Sequence, residues 1–165
     1  MKKSSQRSAA KRPIARARKP VKTAKKAILK PSGLTAIAIP RIGAIWPGQG
    51  GRFAGIGLGQ DGAPDHLLIA HFDPAKIKTD HAGALAYAKN LAVDGRNDFE
   101  APTLADGALC YATLKAHAER DWYWLAPQYA GDPSWAWYQS FGYGDQSYGT
   151  KDSQFRVFAV RRIPI

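Results

Sequence analysis

Residues 135–163 read WAWYQSFGYGDQSYGTKDSQFRVFAVRRI, and the architecture of the chain turns on how that stretch folds. Its two ends are rich in aromatic and β-branched residues, as strands are. Between them Tyr138, Tyr143 and Tyr148 are interleaved with Gly, Ser and Asp in neither a helical nor a strand period. A glycine-rich hairpin whose aromatics stabilise cross-strand pairs accounts for such a sequence. A binding surface accounts for it too, because Tyr and Trp supply rigid contact area while Gly and Ser adapt around them. Four of the five tryptophans fall between Trp122 and Trp137. Here WYWLAPQYA (122–130) and SWAWYQSF (134–141) read as two strands, and FRVFAVRRI (155–163) reads as the last.

Upstream, the pattern changes. Phe53 to Leu58 reads as a strand and His66 to Ala70 as its partner, with Asp61-Gly62 as the turn. Asp80 is placed to cap a helix over HAGALAYAKNLA, and Asp94-Gly95 to end it. Thr103 caps a second helix over LADGALCYATLKAHA, with Leu104, Ala108, Leu109 and Tyr111 on its inward face. The order hairpin, two helices, β-rich last third predicts an α+β domain with helices packed on small antiparallel sheets.

The charge is divided. Residues 1–31 hold 12 of the 24 Lys and Arg and no acid, so the tail carries +12 and the remainder −1 of the net +11. Pro13, Pro20 and Pro31 interrupt any long helix, and little apolar surface offsets the entropy of ordering. Residues 1–38 are therefore expected to form a disordered basic tail, and residues 39–165 the folded domain. A flexible polycation binds phosphate backbones by counterion release, which makes Lys11, Arg12, Arg16, Arg18, Lys19, Lys22, Lys25 and Lys26 candidate nucleic-acid contacts. Anionic membrane surfaces, organelle targeting and simple solvation are the other uses of such a tail.

Several chemistries find no support. The single cysteine, Cys110, lies on an apolar helical stretch and reads as a packed thiol. Gly55, Gly57 and Gly59 lack the helix that a nucleotide-binding loop requires. His66, His71 and Asp73 alternate near a strand end as surface groups do, so no metal is expected and no cofactor either. No apolar run reaches the roughly 18 residues of a membrane span. With no continuous apolar signal core at the N-terminus, a cytoplasmic protein or a component of a phage particle is expected.

The pieces DGRNDFEAPTLADGALCYATL (94–114), Asp121-Trp122-Tyr123-Trp124, WAWYQSFGYGDQ (135–146) and RVFAVRRI (156–163), in this order, resemble the DUF1566 group of bacterial and phage domains. IWPGQGGRFAGIGLGQDGAPDHLLI (45–69) is similar to a leader in some members, so the resemblance spans roughly residues 42–165. It implies a C-type-lectin-like fold. It departs from the family at Leu125-Ala126-Pro127, where small polar residues are usual, and at Phe158, where an Arg is common. Some members are variable proteins of diversity-generating retroelements, in which adenine-containing codons of the last strands are randomised.

By that resemblance, Gln139, Phe141, Gly144, Gln146 and Lys151 match scaffold positions. Tyr138, Ser140, Gly142, Tyr143, Asp145, Ser147, Tyr148, Gly149 and Asp152 match variable ones, and Tyr129, Trp135 and Trp137 extend the expected ligand-binding surface. Phe141, Arg156 and Val160 are expected to hold the fold. A non-catalytic module that recognises a protein or other macromolecule follows. The oxidases that share this fold class use paired cysteines, and the calcium-dependent sugar-binding motifs of lectins are missing.

Overall fold

The computed structural model describes residues 38–165. Nine strands and two helices follow one another in the order β1 (Ile45–Trp46), β2 (Gly51–Gly57), β3 (His66–Phe72), β4 (Lys78–Thr79), α1 (His81–Asn90), α2 (Leu104–Leu114), β5 (Trp122–Gln128), β6 (Trp135–Ser140), β7 (Gln146–Thr150), β8 (Phe155–Arg156) and β9 (Phe158–Pro164). They form an α+β domain with two sheets, ordered β1-β2-β3-β9 and β4-β8-β5-β6-β7. No helix among the described residues is long and apolar enough to cross a membrane.

The hairpin β2–β3 forms about Asp61 and Gly62, which take φ of 52° and 83°. Those left-handed values suit Asp and Gly at a tight turn. A second Asp-Gly pair does something else. Asp94 and Gly95 also have positive φ, 52° and 74°, but they link Val93 to Arg96 in a two-residue turn with paired 2.9 Å backbone bonds. Helix α1 has already stopped at Asn90, with Leu91 as its extended C-cap. Asp94-Gly95 therefore does not end the helix, because this pair serves a hairpin-type turn equally well.

Both N-caps are as their sequences dictate. The Asp80 carboxylate accepts from the Gly83 amide at 2.7 Å. Thr103 and Asp106 form a reciprocal capping box at the start of α2. The buried face of α2 differs from the expected one: Asp106, Gly107, Cys110 and Leu114 point inward, while Ala108 is exposed and Leu104, Leu109 and Tyr111 are half-buried. Gly107 explains the rotation. A Cβ there would lie 2.8 Å from a Leu125 methyl, so the helix approaches β5 along its smallest residue. Cys110 is fully buried beside it, and burial pushes its thiol up out of the nucleophilic range.

The last segment is not one strand, as FRVFAVRRI suggested. Phe155–Arg156 belongs to the five-stranded sheet and Phe158–Pro164 to the four-stranded one, and the chain changes sheets at the buried Val157. Nor are the sheets wholly antiparallel: β8 meets β5 in parallel, at Tyr123 and Arg156. The seven-residue ladder of β9 against β3 closes the four-stranded sheet. Between the sheets and α2 lies the main core, built from Leu68, Leu114, Tyr123, Leu125, Phe141, Phe158 and Val160 among others. Phe158 stacks on Phe72 (5.3 Å, 20°) and meets Tyr123 and Phe141 edge-on. A second cluster, with Trp124, Ala136 and Val157, packs α1 on the other face of the five-stranded sheet.

Arg156 holds three segments together. Its Nε donates to Asp121 at 2.8 Å and a terminal nitrogen donates to the Lys76 carbonyl at 2.9 Å. Lys78 reaches the same Asp121 oxygen at 2.8 Å.

Candidate binding surface

The hairpin β6–β7 pairs Trp135 with Thr150, Trp137 with Tyr148, Tyr138 with Ser147 and Gln139 with Gln146. Side chains alternate between sheet faces along a strand. Trp135, Trp137 and Tyr148 therefore share one face, and Tyr138 with Ser147 the other. On the first face Tyr129 and Tyr148 stack at 3.8 Å and 9°, with Trp137 edge-on to Tyr148 at 5.2 Å and Trp135 tilted against it at 5.7 Å. On the second, Tyr138 stacks on Trp122 (5.2 Å, 19°) and packs edge-on against Phe155. The expected residues are thus split between two aromatic clusters and do not form a single display face. A period of two leaves no other arrangement for consecutive strand residues.

What fixes the hairpin is buried. Gln139 is 0% exposed. Its amide nitrogen lies 3.1 Å from the carbonyls of Ser140, Gly144 and Asp145, and its oxygen accepts from Gln146 at 2.9 Å. The Gln146 amide also donates to the Leu104 carbonyl at 2.7 Å, which ties the hairpin to the start of α2. The six-residue turn 140–145 is closed by Ser140 N to Asp145 O (2.9 Å) and Gly144 N to Ser140 O (3.0 Å). Gly144 adopts φ 96°, and a Cβ there would come within 2.4 Å of the Tyr111 ring. Glycine is required on both counts.

Exposure sorts the remaining candidates. Tyr143 is 84% exposed at the tip of the turn. Asp145, Tyr148 and Asp152 are also exposed, while Tyr129, Trp135, Trp137, Tyr138, Gly142, Ser147 and Gly149 are half-buried. Ser140 is not a display residue. It is 1% exposed, and its hydroxyl accepts the Tyr143 amide at 3.1 Å. As the first residue of the turn it is consumed by closing it. Gly149 leaves room for the Tyr138 ring, which lies 3.3 Å from where its Cβ would stand. Lys151 bridges to Gln128 at 2.7 Å, and its carbonyl accepts the His81 amide at 2.8 Å.

One further exposed aromatic lies outside the set that the sequence suggests. Trp122 is 43% exposed and caps the Tyr138 cluster. Its signal is the Trp-Tyr-Trp alternation, which puts Trp122 and Trp124 on one face, but only the ladder shows that Trp124 alone is buried there. Trp124 donates its indole N–H to the Thr79 carbonyl at 2.9 Å. Beside it, burial holds the His81 imidazole below its ordinary value, and its Nε2–H donates to the Leu125 carbonyl at 3.0 Å.

Among the described residues, no group of three or more His, Cys, Asp or Glu is placed to hold a metal ion. The tail candidates Lys11, Arg12, Arg16, Arg18, Lys19, Lys22, Lys25 and Lys26 lie outside the described residues. No protein-family model matches the chain, and no curated protein matches its sequence.

Proposed function

We propose that this chain is a non-catalytic binding protein whose C-terminal hairpin presents aromatic and polar side chains to a macromolecular partner. One observation carries the reading. The side-chain amides of Gln139 and Gln146 lock the hairpin from within, through a network in which the side chains of Tyr143, Asp145 and Tyr148 take no part. A surface held rigid before contact loses less entropy on binding. Exposed Tyr and Trp on such a frame have the composition of binding hot spots.

The finer identity of the fold, C-type-lectin-like and similar to DUF1566 domains, is part of this proposal. It is supported by the order of the motifs and by pairing of the last strand with an early one, β9 with β3. The separation of buried Gln139 and Phe141 from exposed Tyr143, Asp145 and Tyr148 also fits a surface diversified by a retroelement. A neighbouring reverse-transcriptase gene, with a near-copy of the codons for residues 135–156 that differs only at adenines, is the expected genomic signature. A neighbourhood without either leaves the surface fixed.

The binding surface itself is tested by photo-crosslinking in the source cells. A benzophenone amino acid at Tyr143 is expected to capture a discrete partner, whereas the same group at the exposed Lys89 on α1 is not. Equal capture from both positions rejects the reading.

The division of charge favours a second, compatible activity. With +12 on residues 1–31 and −1 on the remainder, attachment to nucleic acid belongs to the tail. Removing residues 1–31 is expected to abolish salt-sensitive retention on a DNA column. If both forms elute at the same salt concentration, that attachment is refuted. In such a protein the domain could serve assembly alone, with the hairpin purely structural, and this is the alternative that the hairpin variants below address.

A further inference from the structure

Away from the hairpin, the loop joining β2 to β3 and the first turn of α2 border a cavity of about 490 Å³. Small-molecule sites commonly measure roughly 300–1,000 Å³. Ile56, Leu58 and Leu109 line its apolar side, and Ile56 and Leu58 are 56% and 74% exposed. Three polar side chains, His66, Asp106 and Arg162, come together at the other.

The valences at that polar end are unevenly filled. Asp106 is 4% exposed, and its Oδ2 accepts from the Thr103 amide, the Thr103 hydroxyl and Arg162. The other Arg162 arm is taken by Glu100. Asp106 Oδ1 faces His66 Nε2 across 3.9 Å, too far for a hydrogen bond. His66 Nε2 is buried without a partner among the described residues. Its Nδ1 lies 3.5 Å from the Pro64 carbonyl, and the tautomer that satisfies this contact, with the proton on Nδ1, has Nε2 as an acceptor. Two carboxylates thus face one guanidinium, and two acceptors converge on a gap that holds no donor.

We propose that the cavity binds a small amphipathic primary amine, its ammonium group between Asp106 Oδ1 and His66 Nε2 and its apolar body along Ile56, Leu58 and Leu109. In the bound form one ammonium nitrogen, about 2.9 Å from each acceptor, donates to both. It also balances the excess carboxylate. Nε2 is closed off where it stands, packed against Gly57, so binding requires the imidazole to turn about its broad Cβ–Cγ torsion and open Nε2 to the cavity. An anionic head would meet the buried Asp106 carboxylate at this end, and a neutral alkyl chain leaves both acceptors as they are. The site is separate from the hairpin surface and stands or falls without it.

The test is ¹H–¹⁵N NMR titration of the full chain with hexylammonium, hexanol and hexanoate. Hexylammonium is expected to give saturable shifts at Ile56 to Gly59 and Thr103 to Asp106, with affinity at least about tenfold above hexanol and hexanoate, or about 1.4 kcal/mol. Ala105→Trp, which fills the cavity from α2, is expected to remove those shifts. Ala108→Trp, exposed on the same helix but outside the cavity, is expected to leave them. His66→Phe is expected to weaken hexylammonium while leaving hexanol unchanged. Equal affinity for hexanol, tighter binding of hexanoate, no saturable shift, or full binding by Ala105→Trp each overturns the proposal.

Discussion

Phe158→Arg is expected to yield no folded protein. Phe158 is 1% exposed and packs against Phe72, Tyr123 and Phe141 at the centre of the main core. A guanidinium there has no counter-charge, and neither of its flanking residues, Val157 and Ala159, leaves a polar escape route. Burying an unpaired charge adds to the loss of the ring contacts, and the combined cost exceeds about 5 kcal/mol. Domains of this size are stable by only about 5–15 kcal/mol. Circular dichroism is expected to show no cooperative melt, whereas Phe158→Leu melts cooperatively and loses about 1–2 kcal/mol. The position has a second interest. In the DUF1566 group an Arg is common at the place that Phe158 takes in the sequence resemblance. A folded Arg variant would show that the surroundings of this position tolerate the family residue, and the core described above would then be misplaced.

Gln139→Glu is expected to cost about 3–5 kcal/mol, read as a lower urea midpoint. The substitution keeps the shape and removes the donor. A carboxylate then faces the carbonyls of Ser140, Gly144 and Asp145, three acceptors about which it can do nothing. The cost depends on pH in a defined direction. The introduced carboxyl is held above its ordinary value of about 4.3 in the folded state. The folded protein thus binds more protons than the unfolded one, so stability falls as pH rises through that value. The deficit is expected to shrink near pH 4 relative to pH 7. A deficit under about 1 kcal/mol at pH 7 would show that the amide network does not hold the hairpin.

Much of the fold is legible where local chemistry acts alone. Asp61-Gly62 needs two left-handed residues, and Asp80 and Thr103 satisfy helix amides a few residues on; each reads correctly from its neighbours. Asp94-Gly95 carries the same dipeptide signal but answers to a different partner, Val93 with Arg96. The change of sheet at Val157 is invisible in FRVFAVRRI because both halves are strand-like, and only the competition between Tyr123 and Phe72 as neighbours of Arg156 and Phe158 decides it. The inward face of α2 is hidden from the sequence for a similar reason. Gly107 gives no hydrophobic signal, yet it is the point of closest approach to β5.

The candidate surface shows the same boundary. The resemblance only suggests Gln139 and Gln146 as scaffold positions, whereas their joint grip on the turn is seen in three-dimensional pairing alone. Ser140 looks like its exposed neighbours in sequence, and only its place at the start of the turn removes it from display. The division of the aromatics into the Tyr148 and Trp122 clusters requires the register of both β5–β6 and β6–β7.

The most direct measurement is a quantitative pull-down from source cells with four forms of the chain: wild type, Tyr143→Ala/Tyr148→Ala, Leu85→Ser on the exposed side of α1, and the form lacking residues 1–31. Neither Tyr143 nor Tyr148 has its side chain in the Gln139 network, and melting curves of the double variant serve as the control for the packing that Tyr148 loses against Tyr129, Trp135 and Trp137. Two lost hot-spot tyrosines reduce recovery of a partner by about a hundredfold at about 1.4 kcal/mol each. The double variant alone is expected to lose a protein partner that the other three retain, while the tail deletion loses only nucleic acid. Recovery of the same partners by the double variant and wild type would contradict it, and would make the hairpin a structural element.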